Sequence, residues 1–234
     1  MRIQAYEIEK KYRFFSLPLA EQFFRQPNFL WRKIGILQWY LNEKEDTDLS
    51  IRIRLTLKKD EEGFKEEWEI GSKRPVPHHP EQRVETQTSF SFSECPSDVA
   101  LTLEEFGVKL PGDLDRYPVL AKIRYIMVKP LKIVRVAEVV LDHFIYPIMK
   151  RGERVHLELE LRDKTPLPGQ AEQFESLFGR LNLYTFARDI TSKTYLSNRS
   201  LAERAFEEGK CGFGIEMGRM EIERLLRAKE PFGR

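Results

Sequence analysis

The 234-residue sequence predicts an α+β protein organised around a closed eight-stranded antiparallel β-barrel with flanking helices. Three observations lead there. Eight segments, most of them in the first two-thirds of the chain, alternate apolar and polar residues with period two. Turn or charged segments such as "NEKEDTD" and "KKDEEG" separate most of them. In five or six of these segments, the face opposite the apolar one carries charges at i and i+2.

The first candidate strand, 3–13, contains "YEIEKKYRF", and its alternation puts Glu7, Glu9 and Lys11 on one face. The stretch "PLAEQFFRQ" (18–26) predicts a helix after it. Strands are predicted next at 33–41 and 50–58, the latter setting Arg52 and Arg54 opposite Ile51, Ile53 and Leu55. The fourth, 65–73, ends on Lys73. A Pro-rich loop, "KRPVPHHPEQ", leads into the fifth, 82–92, which carries Arg83 and Glu85. In "PSDVALTLEEFG" (96–107) the pattern predicts a helix closed by Gly107.

Strands at 119–129, 134–142 and 154–162 complete the set. They contribute Lys122 and Arg124 opposite Ile123 and Tyr125, then Asp142, then Glu158 and Glu160 opposite Leu157, Leu159 and Leu161. Beyond them, Phe174, Leu177, Phe178 and Leu181 recur at i, i+3, i+4 and i+7, the stripe of an amphipathic helix. The chain from about 199 also reads as helical, with a break at "GKCGFG". No internal repeat or linker divides the sequence, which therefore reads as one domain. Residues 1–197 form its body and 198–234 a helical extension of it.

Composition narrows the partners. Thirty-nine basic residues nearly balance 37 acidic ones, for a net charge of +2, which argues against a general nucleic-acid binder. Cys95 and Cys211 share no metal-ligand spacing and fit a reducing compartment rather than a disulfide scaffold. The start, "MRIQAYEIEK", lacks the apolar core of a signal peptide, and no apolar run approaches the ~20 residues that span a bilayer. These features predict a soluble, cytoplasmic protein.

Two arrangements accommodate the paired charges. One is a sheet with a wet face laced by cross-strand ion pairs. The other is a barrel whose charged faces line a polar lumen. Repetition of like-sign pairs favours the second, because exposed ion pairs bring only ~0–1 kcal/mol and arginine suits planar anion recognition. Cations and carboxylates enclosed together need compensation. A polyanion compensates the first set, and a hard divalent cation such as Mg²⁺ or Mn²⁺ the second. The sequence has no GxxxxGK[ST] loop, no strand-linked GxGxxG and no nucleophile elbow. Side chains would therefore hold the phosphates, and water would be the simplest nucleophile.

The ordered charges resemble the CYTH superfamily, the triphosphate tunnel metalloenzymes, which include inorganic and thiamine triphosphatases and class IV adenylate cyclases. Glu7-Ile-Glu9-Lys-Lys11 fits the ExExK signature. "ILQWYL" with Gln38, Tyr40 and Leu41, "RIR" (52–54), Lys73, Arg83/Glu85, Lys122/Arg124, Asp142, Glu158/Glu160 and "SKTY" (Lys193 to Tyr195) follow in family order. The resemblance implies a triphosphatase tunnel in which Glu7, Glu9, Asp142, Glu158 and Glu160 serve a divalent metal. Lys11, Arg52, Arg54, Lys73, Arg83, Lys122, Arg124 and Lys193 would then hold phosphate oxygens. Glu7, Glu9 and Lys11 would stand at the reacting centre.

A cyclase that makes cyclic AMP and pyrophosphate from ATP, or a polyphosphate- or nucleotide-binding module without turnover, would share the same elements. Departures are visible too. The fourth strand reads "WEIGSKRP", placing Glu67, Glu69 and Gly71 in phase with Lys73, and the turn between Asp142 and Glu158 is long. His156 is in phase with Glu158 and Glu160 and could flank the metal, although a structural or exposed role is the simpler expectation. His78 and His79 are expected in a solvent-facing loop. Trp31, Trp39 and Trp68 are expected to pack outside the barrel rather than stack on a base. The tail could cover a tunnel mouth, pack outside or make a homodimer.

Overall fold

The computed structural model describes residues 3–41, 49–76, 79–90, 114–150, 153–162, 169–209 and 214–232. The chain runs β1 (Ile3–Phe14), α1 (Leu17–Phe24), β2 (Leu30–Tyr40), β3 (Ser50–Lys59), β4 (Phe64–Val76), β5 (His79–Phe90), β6 (Val119–Lys129), α2 (Leu131–Val134), β7 (Ala137–Tyr146), β8 (Val155–Leu161), α3 (Gln170–Arg180), β9 (Ala187–Asp189), α4 (Asn198–Glu207) and α5 (Ile215–Arg227). Neighbours in the sheet run β5-β4-β3-β2-β6-β7-β8-β1, and β1 also pairs with β5, which closes an eight-stranded antiparallel barrel. β1 serves as a hinge between partners: Ile3–Ile8 pair with β5, and Glu9–Arg13 with β8. β9 is an addition, pairing with Tyr12–Phe14 beyond the barrel ladder.

All eight predicted strands form. The seventh starts at Ala137 rather than 134, because Leu131–Val134 wind into a one-turn helix behind Pro130. Proline fixes an extended entry and lacks the N–H that a continuing ladder would use. The helix expected at 96–107 lies outside the described residues, as do Cys95, Cys211 and His78.

Apolar positions of the strands face outward and helices cover them. Leu37, Trp39, Leu55, Ile123, Tyr125, Leu141 and Leu157 join one continuous core with residues of α1, α3 and α5. Trp39 and Trp68 stack on this outer side with ring centroids 6.0 Å apart, and Trp31 stacks on Phe24 at 5.5 Å. Gly35 explains how α5 gets so close: a Cβ there would lie 2.0 Å from Ile222 Cγ2, so only glycine admits the helix onto β2. Local signals set the helix starts. The Ser16 hydroxyl accepts from Leu19 N–H at 3.4 Å before α1, and the Ser197 hydroxyl accepts from Ser200 N–H at 3.1 Å before α4. Asp115 caps α5 by accepting from Ile215 N–H at 3.2 Å.

The two tail helices take different places. α5 packs on the outer wall through Ile222, Leu225 and Leu226. α4 presents Leu201 and Ala202 to Tyr40, Leu120 and Phe144, which lie on the inner faces of β2, β6 and β7 at one end of the barrel. That end is walled by an apolar cluster separate from the main core. Arg199 ties α4 down, donating to the Leu49 carbonyl at 2.7 Å at the start of β3.

Candidate active site

Strand alternation sends the charged positions into the lumen, and some of the ion pairs there skip a strand, as a concave inner face allows. Lys73 of β4 pairs with Glu7 of β1, across β5. Arg124 of β6 reaches Glu158 of β8 at 2.7 Å, across β7. Lys11 lies 3.1 Å from Glu158 and 3.4 Å from Glu9, while Arg83 meets Glu9 at 2.8 Å. Arg52 pairs with Glu85, which also lies 3.8 Å from Lys73.

On the opposite wall Asp142 has no exposure. Its two oxygens accept a bidentate pair of bonds from Arg124, both 2.7 Å, and one of them also accepts from Lys122. Gln38 links the remaining arginine: its amide oxygen accepts from Arg54 Nε at 3.1 Å, and its amide nitrogen donates to the Tyr40 hydroxyl. Thus Glu7, Glu9, Lys11, Arg52, Arg54, Lys73, Arg83, Lys122, Arg124, Asp142 and Glu158 come together in one network. Glu160 is partly buried on the same face, directly across the ladder from Glu9. Lys193 is placed differently, exposed on the turn that follows β9.

Two lumen residues, Gln87 and Glu138, escaped the sequence reading, and a third, Glu69, was read only as in phase with Lys73. Glu69 stands 3.4 Å from Arg54, and Gln87 donates to Glu85. Glu69 falls on the two-residue period of Lys73, four residues before it, and Gln87 lies two residues after Glu85, so the signal was present. Glu138, in register with Glu160, is the same kind of case.

Burial and neighbours sort the charges. Burial raises the Glu7 carboxyl to about 7, helped by Glu9 and opposed by Lys73. Glu9 is just as buried, yet Lys11, Lys73 and Arg83 outweigh the burial and hold it near 2. Two adjacent carboxylates of one strand are thereby set far apart. Burial, with Arg124 adding to it, brings Lys122 down to about 8 despite Asp142. The reason is that Asp142 serves two cations, and Arg124 takes the bidentate share. His156 is buried and pushed down to about 4 by desolvation and by Lys11.

Whether this site suits a divalent cation depends on its donors. Glu7, Glu9, Glu158 and Glu160 are hard oxygen donors on adjacent strands, the chemistry that Mg²⁺ and Mn²⁺ prefer. Among the described residues no three His, Cys, Asp or Glu side chains converge closely enough to hold an ion, because lysines and arginines partner the carboxylates. The donor set fits such a cation once those partners move. No helix among the described residues is long and apolar enough to cross a membrane.

Compared directly, the sequence matches no protein family and no curated protein. Solved structures do match in shape. The PH1819 protein of Pyrococcus horikoshii OT3 superposes with a TM-score of 0.54 at 18% identity, over 86% of this chain and 99% of its own. A conserved hypothetical protein from Pyrococcus furiosus gives 0.49 at 13% identity, over 75% and 90%. HpAC1 from Hippeastrum, described as having a dominant triphosphatase activity, gives 0.46 at 15%, over 75% and 88%. Likeness at this level is one of fold, and the fold argument rests on the first of the three. The chain shares the fold of the PH1819 protein, a closed eight-stranded antiparallel barrel with flanking helices.

Proposed function

We propose that this tunnel is the active site of a divalent-metal-dependent hydrolase whose substrate is a triphosphate, inorganic or attached to an organic group. The observation that carries this reading is the enclosed network itself. Seven cationic side chains (Lys11, Arg52, Arg54, Lys73, Arg83, Lys122 and Arg124) share one lumen with Glu7, Glu9, Asp142 and Glu158. Such a set is costly to enclose, and its like-signed members gain most from a ligand carrying several negative oxygens.

In this reading the bound phosphate chain takes over the cations. Lys73 and Lys11 transfer their ammonium groups from Glu7 and Glu9 to phosphate oxygens, which frees those carboxylates for the metal. Arg52, Arg54 and Arg83 clamp the chain from one wall, and Lys122 and Arg124 from the other, where Asp142 holds both in place. Glu158 and Glu160 complete the oxygen donors, and Lys193 approaches from outside the lumen. When bound, the cation supplies positive charge against the transferring phosphoryl group and lowers the pKa of a coordinated water. A carboxylate of the Glu7, Glu9, Glu158 and Glu160 set accepts the proton of the attacking water.

Phosphate release from inorganic triphosphate, ATP and thiamine triphosphate, each with Mg²⁺, Mn²⁺ or EDTA, tests the proposal. Expected is metal-dependent release from at least one, lost in Glu9→Gln. Cyclic nucleotide and pyrophosphate from ATP would replace hydrolysis by cyclisation. Absence of turnover with all three, in protein that still binds tripolyphosphate, would sink the hydrolase and leave a binding module.

A further inference from the structure

Two histidines of adjacent strands are buried, and they face opposite ways. His143 of β7 points outward, its ring 5.6 Å from Phe232 in the helix-covered core. His156 of β8 points into the lumen, two residues before Glu158 and in register with Asp142 on one side and Arg13 on the other. Its exposure is 2%, and its ring meets Phe144 edge-on at 4.9 Å. Lys11, Lys122, Asp142 and Glu158 are the charged groups that act on it. Yet its Nε2 has no hydrogen-bond partner.

A buried nitrogen left unpaired is costly, and a leucine would fill the same space against Phe144 without that cost. The imidazole stands where the charged lumen meets the apolar wall made by Tyr40, Leu120 and Phe144. Lysines flank it on both sides, so a polyanion drawn to them arrives beside Nε2.

We propose that His156 is a substrate-contacting residue of the tunnel, its Nε2–H donating to a non-bridging phosphate oxygen at the α4 end of the lumen. The inference rests on the tunnel being a triphosphate site and adds the group that meets the phosphate nearest the apolar wall. The imidazole N–H contributes there a directional hydrogen bond, set by the fixed ring against Phe144. It also favours an unsubstituted phosphate at that end, since the wall behind it is closed by α4.

Nitrogen-15 NMR of histidine-labelled, full-length protein tests this without altering the chain, using tripolyphosphate with and without Mg²⁺ as the probe. The His156 Nε2 resonance, assigned by its loss in His156→Gln, should shift on addition of tripolyphosphate while that of His143 stays still. Calorimetry should then show tripolyphosphate bound about tenfold more weakly by His156→Phe, the weight of one hydrogen bond. In His156→Gln the side-chain amide can still donate, so the loss should be smaller. Tripolyphosphate that binds the unsubstituted protein but leaves the His156 resonance unmoved, or binds His156→Phe equally well, overturns the proposal and leaves the triphosphate reading intact. If tripolyphosphate does not bind the unsubstituted protein, the triphosphate reading fails and this inference with it.

Discussion

Replacing Asp142 by asparagine would leave Lys122 buried beside a neutral amide and strip Arg124 of its bidentate partner. The size of the effect follows from the two cations separately. Burial already brings Lys122 from 10.5 to about 8. At 1.36 kcal/mol per pH unit this costs the native state about 3 kcal/mol at pH 7. Neutralising the lysine altogether at pH 7 costs about 5 kcal/mol on the same scale, and that is a ceiling, since the group can simply shed its proton. Losing Asp142 therefore adds at most about 1–2 kcal/mol through Lys122. Arg124 has no such escape, although Glu158 remains 2.7 Å away. Together the loss should be about 3–5 kcal/mol, the usual range for breaking a buried pair.

The pH dependence makes this prediction sharper. Native Lys122 binds its proton less tightly than the unfolded chain does, so native stability rises as pH climbs from about 8 to 10.5. In Asp142→Asn the native lysine is neutral already at pH 7. By pH 9.5 it is neutral in both native proteins, and about 1–2 kcal/mol of the deficit should vanish. Urea unfolding at pH 7 and pH 9.5, with equal m-values, measures both numbers. A deficit below about 1 kcal/mol, or one that widens with pH, would refute the assignment of Asp142 as the anchor of two buried cations.

Three further predictions follow from other contacts. Gly35→Ala should cost about 1–3 kcal/mol through its collision with Ile222, with partial recovery in the Gly35→Ala/Ile222→Val pair, read from thermal melts. Leu201→Ala should cost about 2–3 kcal/mol and raise protease sensitivity within α4, because the leucine seals the inner end of the barrel against Tyr40, Leu120 and Phe144. Gln38→Leu removes the acceptor that orients Arg54 and the donor to Tyr40, and should weaken tripolyphosphate binding roughly threefold to tenfold while the fold survives, as circular dichroism would show.

The barrel was legible because its strands obey a two-residue period over ten or so residues, and because lumen charges fall on that period. β9 was not: three residues carry no periodicity, and the strand exists only because Tyr12–Phe14 offer an unpaired edge. The start of β7 was misplaced for a similar reason, since "LKIV" alternates as well as it winds, and Pro130 decided between them. Within the site, sequence identified which residues share the lumen but not who pairs with whom. Register set Arg124 beside Asp142, and the curvature of the closed barrel brought Lys73 of β4 to Glu7 of β1 across β5. Glu69 was read as in phase with Lys73 but given no partner, and Gln87 was passed over because it carries no charge. The tail's two destinations depend on Gly35 and on the Tyr40–Phe144 cluster, partners more than 50 residues upstream that no local pattern announces.

Because β1 takes β5 on one flank and β8 on the other, the first strand made is the last to find both neighbours. A ribosome delivering this chain in order must expose residues up to about 161 before the cylinder can shut. Until then an unclosed sheet presents apolar groups on one surface and bare charges on the other. α4 and α5 emerge later still, so the inner wall and the cover over β2 are fitted after closure. Sequence separations of this length slow folding, and the nascent protein should depend on chaperones more than a helical bundle of equal size does.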